Sequence, residues 1–177
     1  MRSLLFSLLL PVCMVCGPSV YSQTAEEIRT AAQIYAYAQV NSDLDMLLDM
    51  TYPELVQKAG GPLKMKNMLA ALRESETEKG HYLQDITIKG PIEAVEVGNE
   101  THAIVPIIST VSVPEGLITI ESSLIAVGTE NRDNWYFIET TALDQRNIQK
   151  VLRNWDNSLI LPPKRPAVFK DTNKLLE

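Results

Sequence analysis

Residues Thr101 to Thr141 read THAIVPIISTVSVPEGLITIESSLIAVGTENRDNWYFIETT, and the reading of this stretch decides the fold. β-Branched and aromatic residues crowd into three runs separated by turn residues, the composition of neighbouring strands. Pro114-Glu115-Gly116 supplies a short turn, because proline presets φ and glycine accepts positive φ, and the polar run Thr129 to Asn134 supplies a longer hairpin loop. Three antiparallel strands result. Pro106 has no N–H to give to a ladder, so the first strand is expected to be bulged, or unpaired on one side, at that residue.

The same stretch carries the first candidate for chemistry. If the loop pairs Gly128 with Trp135, then Trp135, Phe137 and Glu139 share a face with Ala126, Leu124 and Ile120. Glu139 is then an acid on the core-facing side. A carboxylate among Trp, Phe and Leu is pushed toward its neutral form by desolvation, which is how a general acid or base is prepared. The plainer alternative is a strand-end carboxylate that reaches water or a backbone N–H, and a one-residue slip of register would reverse the face. Tyr35, Tyr37 and Tyr52 could bring a phenol to a pocket, and the competing reading makes them core residues with satisfied hydroxyls. His81 and His102 stand without a second histidine or cysteine at ligand spacing, so no metal site is expected, and no cofactor motif appears.

Toward the N-terminus, Arg2 precedes the apolar run LLFSLLLPVCMVC, too short to span a bilayer, and GPSVYS follows it. This is the pattern of a secretory signal peptide over residues 1–22, with cleavage after Ser22 and Gln23 as the new N-terminus. Lipid anchoring needs a small residue before a cysteine, but Val12 precedes Cys13 and Val15 precedes Cys16. The chain is therefore expected in the periplasm or outside the cell, without a stable membrane anchor. Removing 22 of 177 residues takes both cysteines with it, so disulfides are not expected to stabilise the remainder. The rest is long enough for one cysteine-free domain, placed at residues 23–169, with 170–177 expected to fray. Net charge is −6, and Lys164-Arg165 is the one basic cluster, which argues against nucleic acid as a partner.

Four helices are expected before the sheet. Thr24 to Glu27 reads as a capping box for a helix running to about Asn41, with Ile28, Ala31, Ala32, Tyr35 and Ala38 on one face. Ser42 is the expected N-cap of a second helix, and Thr51-Tyr52-Pro53-Glu54 starts a third that ends near Ala59. Pro62 opens a fourth, with Met65, Met68, Leu69 and Leu72 on one side and Arg73 to Lys79 as a solvated final stretch. Strands are expected at His81 to Lys89 and Ile92 to Val97, around Gly90-Pro91. Beyond the sheet, Ile148, Val151, Leu152 and Trp155 fall at i, i+3, i+4 and i+7, which predicts a C-terminal helix capped by Asp144. The proline-rich LILPPKRPAVF should then run extended over the surface, held by Leu159, Leu161 and Phe169.

Helices first, then an antiparallel meander, then a closing segment: this α+β order resembles the nuclear transport factor 2-like, or SnoaL-like, cone. The resemblance covers about Ala25 to Thr141. TYPELVQKAGGPLKMKNML, HAIVPIISTVSVPEG and NWYFIET are similar to a group of uncharacterised exported bacterial proteins of that superfamily, whose tails also carry a segment comparable to Ile160 to Lys164. One departure stands out, the lack of a strand between the early helices. The resemblance implies a cone interior that Tyr35, Tyr52, Trp135, Phe137 and Glu139 would line, and it carries no activity, because the fold hosts isomerases, dehydratases, cyclases and non-catalytic domains alike. Two function classes follow. The first is an exported non-catalytic domain that binds a small apolar molecule or a partner protein, with a homodimer through the sheet as a structural variant. The second is a cofactor-free isomerase or hydrolase-like enzyme with Glu139 as its base.

Overall fold

The computed structural model describes residues 20–129 and 134–171, so most of the signal peptide expected over residues 1–22, the centre of the 129–134 loop and residues 172–177 lie outside the described residues. At the centre stand two long strands, β3 (Glu100–Val113) and β4 (Gly116–Gly128), joined by the Pro114-Glu115 turn and paired without interruption from Thr101↔Gly128 to Val113↔Gly116. Four shorter strands share their outer edges. β1 (Tyr82–Ile88) and β2 (Glu93–Val97) both pair with β3, the first at Ile107 to Ser112 and the second at Glu100 to Ile104. β5 (Trp135–Glu139) and β6 (Val168–Asp171) both pair with β4, the first at Leu124 to Gly128 and the second at Gly116 to Thr119.

Pro106 explains the break on the β3 edge. Its missing N–H falls in the interval between β1 and β2, where Lys89 N–H still reaches the Pro106 carbonyl at 2.8 Å, while the pairing with Ser123 of β4 continues on the other side. The β4 edge has its own interval, Ile120 to Ser123, between β6 and β5. There the Thr140 hydroxyl donates to the Ser123 carbonyl at 2.8 Å.

Alternation along the strands buries both faces of the sheet. On one face Val105, Ile107, Leu124, Ala126, Trp135 and Phe137 pack against Ile28, Ala32, Tyr35 and Ala38 of helix α1 (Val20–Asn41) and Leu47 of α2 (Leu44–Asp49). The alanines let α1 lie close to the sheet. On the other face Ile104, Ile125, Val127 and Ile138 pack under Ile148, Val151, Leu152, Trp155, Leu159 and Leu161. Two more helices, α3 (Pro53–Lys58) and α4 (Pro62–Glu78), follow α2; no residue of α4 is buried, and Leu63, Met68 and Leu72 are exposed.

Several expectations are corrected in detail. α1 begins at Val20, so Thr24 is a buried residue within the helix and not its cap. Asp43, not Ser42, caps α2 by accepting from Met46 N–H at 3.1 Å, because Ser42 sits in the left-handed region at φ 58° and makes the turn. Thr51 does not cap α3: its hydroxyl donates back to the Leu47 carbonyl at 2.6 Å, and its backbone bridges Phe137 beside β5. Two backbone bonds flank that bridge, Tyr52 N–H on the Phe137 carbonyl at 3.1 Å and Phe137 N–H on the Met50 carbonyl at 2.7 Å.

The C-terminal helix is absent. In its place Thr140–Ala142 and Ile148–Lys150 form single 3-10 turns. The Asp144 carboxylate does accept from Arg146 and Asn147 N–H, as an N-cap would, but the Gln145 side chain turns to the Leu159 carbonyl and Leu161 N–H, and single turns follow instead of a helix. All four stripe residues are buried nonetheless. Of the three residues expected to hold the proline-rich stretch, Leu159 and Leu161 are buried and Phe169 is not. Pro162 to Ala167 cross irregularly to β6, which carries order to Asp171, beyond the expected end at residue 169, and Phe169 lies exposed on that strand.

Candidate functional site

The register expected from the loop is the one found: Gly128 faces Trp135, Ala126 faces Phe137 and Leu124 faces Glu139. At the first pair the Trp135 ring lies so close over Gly128 that a Cβ there would stand 2.7 Å from it, so any larger residue would force the ring to shift. At the second, Phe137 stacks obliquely on Tyr35 of α1, ring centroids 5.0 Å apart. At the third, the strand ends and the Glu139 carboxylate leaves the core for a polar network.

That network joins three elements. Tyr35 donates its phenol to Glu139 Oε1 at 3.3 Å, and Gln39, one helical turn on, gives its amide both to the Tyr35 oxygen at 3.2 Å and to the same Glu139 oxygen. From α4, Arg73 donates to the Gln39 side-chain oxygen at 2.9 Å and to the Gln39 backbone carbonyl, and at 3.0 Å to the Ser42 hydroxyl. Gln39 thus hands on the polarity from guanidinium to carboxylate, its oxygen accepting and its nitrogen donating. No carboxylate lies within ion-pair distance of Arg73 among the described residues.

The protonation of these groups follows from their surroundings. Burial pushes the Tyr35 phenol far above its ordinary range, and the Glu139 charge adds to this, so Tyr35 is a neutral donor. Glu139 keeps solvent contact at the strand end, yet the protein crowded around it raises its pKa; Tyr35, Arg73 and Gln39 oppose that shift in part. Partial burial lowers Arg73, with Glu139 and Tyr35 pulling the other way.

Of the five residues named from the sequence, the structure brings four together: Tyr35, Trp135, Phe137 and Glu139 lie along one run of contacts between α1 and β5. Tyr52 is elsewhere. It packs with Leu55 against the opposite core, where burial, Glu100 and Glu54 raise its pKa. Tyr37 is exposed. Two residues that complete the network were not singled out in the sequence, Gln39 and Arg73. The i, i+4 spacing of Tyr35 and Gln39 places both on one helix face, whereas Arg73 is hidden in a charge run that reads as surface.

The histidines separate. His81 pairs with Glu76 at 2.9 Å. His102 is fully buried on β3, 3.1 Å from Glu100 and stacked on Trp155 at 6.0 Å; His102 Nδ1 and Trp155 Nε1 have no hydrogen-bond partner among the described residues. Among the described residues no three His, Cys, Asp or Glu side chains gather as a metal site would need. No helix among them is long and apolar enough to cross a membrane.

Two recesses accompany the network. A cleft of about 290 Å³ reaches it from the Arg73 end, bounded by Gln39, Ser42, Leu72, His81 and Tyr82, and touches neither Tyr35 nor Glu139. A groove of about 500 Å³ lies away from it, between the middle of the β3–β4 hairpin and Pro162 to Arg165. The tyrosine-carboxylate pair is therefore built between core and surface, with the guanidinium, not the acid, turned to the nearer cleft. No protein-family model matches the chain, and no curated protein matches it.

Proposed function

We propose that the chain is an exported, non-catalytic binding domain built on the nuclear transport factor 2-like plan, and that its ligand is a small apolar molecule held in the groove beneath Pro162 to Arg165. The groove carries this reading. Its volume of about 500 Å³ is that of a small-molecule site, and Pro106, Ile108, Ile120, Pro162 and Pro163 give it apolar walls among a few hydroxyls. Helices preceding an antiparallel sheet, with α1 laid on Phe137, support the plan. Both sheet faces already carry a core, which leaves a homodimer through the sheet less surface to use.

The test is native mass spectrometry of protein recovered from the exported fraction, alongside an Ile108→Trp variant that fills the groove. A co-purified small molecule that is lost in the variant, with the circular dichroism spectrum unchanged, is the expected result. A molecule retained by the variant would place the site elsewhere. N-terminal sequencing of the same material should begin at Gln23, and a lipidated cysteine or an intact Met1 would refute the export reading.

One observation favours an enzyme as the second reading: Glu139 and a tyrosine do meet. An acid with raised pKa beside a neutral phenol is a pairing that proton transfer uses. Under that reading Glu139→Gln abolishes turnover; under the binding reading the variant retains its ligand.

A further inference from the structure

We propose that the groove selects apolar-chain carboxylic acids, holding the chain on its apolar walls and the carboxylate with Lys164 and Lys89; this rests on the binding reading above. Charge makes the case. The chain as a whole is acidic at −6, yet the groove is bordered by Lys89, Lys164 and Arg165 against one acid, Glu121. Arg165 is already neutralised, since it meets Glu121 at 2.6 Å. Lys164 is not, because its ammonium donates at 2.6 Å to an uncharged group, the Thr141 carbonyl. Lys89 has no ion pair among the described residues, and its place is fixed by the backbone bond to Pro106.

Two lysines without an ion-pair partner among the described residues therefore line the groove, one from the β1–β2 connection and one from the closing segment. Pro106 and Ile108 line the groove with them, and alternation puts both on the face of the sheet that carries Glu121. An apolar ligand without a head group would leave both cations unanswered. A carboxylate answers them with charge-assisted hydrogen bonds, while a cationic head is repelled.

The experiment is displacement of a neutral, environment-sensitive dye from the exported-length protein by dodecanoic acid, dodecanol and dodecyltrimethylammonium, each below its aggregation threshold and at low salt. The acid is expected to bind about tenfold or more tighter than the alcohol, with the ammonium compound weakest. In a Lys89→Met, Lys164→Met double variant the acid should fall to the level of the alcohol while the alcohol is unchanged, and arginine at both positions should restore the preference. Raising salt should narrow the gap in the native chain. An alcohol that binds as well as the acid, or a preference that survives the double methionine variant, overturns the carboxylate assignment and leaves the groove as a binding site. Failure of all three compounds to displace the dye overturns the binding reading itself.

Discussion

Glu139 shows how a single register position sets a residue's chemistry. One place further along β5 it would face the other core; where it stands, it receives Tyr35 and Gln39 on one carboxylate oxygen. Because both donors use the same oxygen, glutamine can replace it with the acceptor intact, whereas leucine would leave the Tyr35 phenol without its partner. The sign of the pH effect follows from the raised pKa. The unfolded chain releases this proton near the ordinary value of 4.5, and the folded chain holds it to higher pH. The contribution to stability is full below that ordinary value and is lost as pH rises through the raised one. Relative to Glu139→Gln, the native protein should thus lose stability as pH rises above the ordinary carboxylate range, measured by urea titration below and above it. A difference that grows in the other direction would show an acid stabilised by its donors more than it is penalised by crowding. Gly128 offers a second test at this scale. Alanine there forces Trp135 to shift and should cost about 1–3 kcal/mol in the same titration.

Among the elements, the closing segment gains its stability from side chains without a helix to carry them. Trp155, buried and stacked on His102, is its largest anchor. Trp155→Ala should cost about 3–5 kcal/mol, and circular dichroism at low temperature should show no loss of helical signal, since the segment forms only short 3-10 turns. The opposite case is α4, whose residues are all at least partly exposed. It is tied down mainly by Arg73 on Gln39 and Ser42 and by Lys66 on Asp45, and its amides should exchange well before those of β3 and β4. These two elements also mark where sequence reading succeeds and fails. The β3–β4 hairpin and the β5 register were legible because Pro114, Gly116 and the 129–134 loop leave little choice of pairing. The closing helix was not, since an i, i+3, i+4, i+7 pattern states only that residues are buried together, and Gln145 spends its side chain on Leu159 and Leu161 of the segment that follows. Arg73 was illegible for a related reason: a charge run does not reveal which member bends inward. β6 was missed because Val168 to Asp171 follow three prolines and pair with a strand fifty residues earlier.

For the molecule as a whole, α1 crosses the expected cleavage point, yet its described buried side chains begin at Thr24. The two edge intervals have a consequence of another kind. At either end the sheet is four strands wide, β2-β3-β4-β5 at one end and β1-β3-β4-β6 at the other, but at Pro106↔Ser123 only the central pair is laddered. Such a shape behaves as two stiff plates joined by a narrow flexure. Bending concentrates where the cross-section is smallest, and the groove straddles that line. A ligand seated there acts as a splint. Residual dipolar couplings should report the two plates reorienting as separate bodies in the empty protein and as one when the groove is filled.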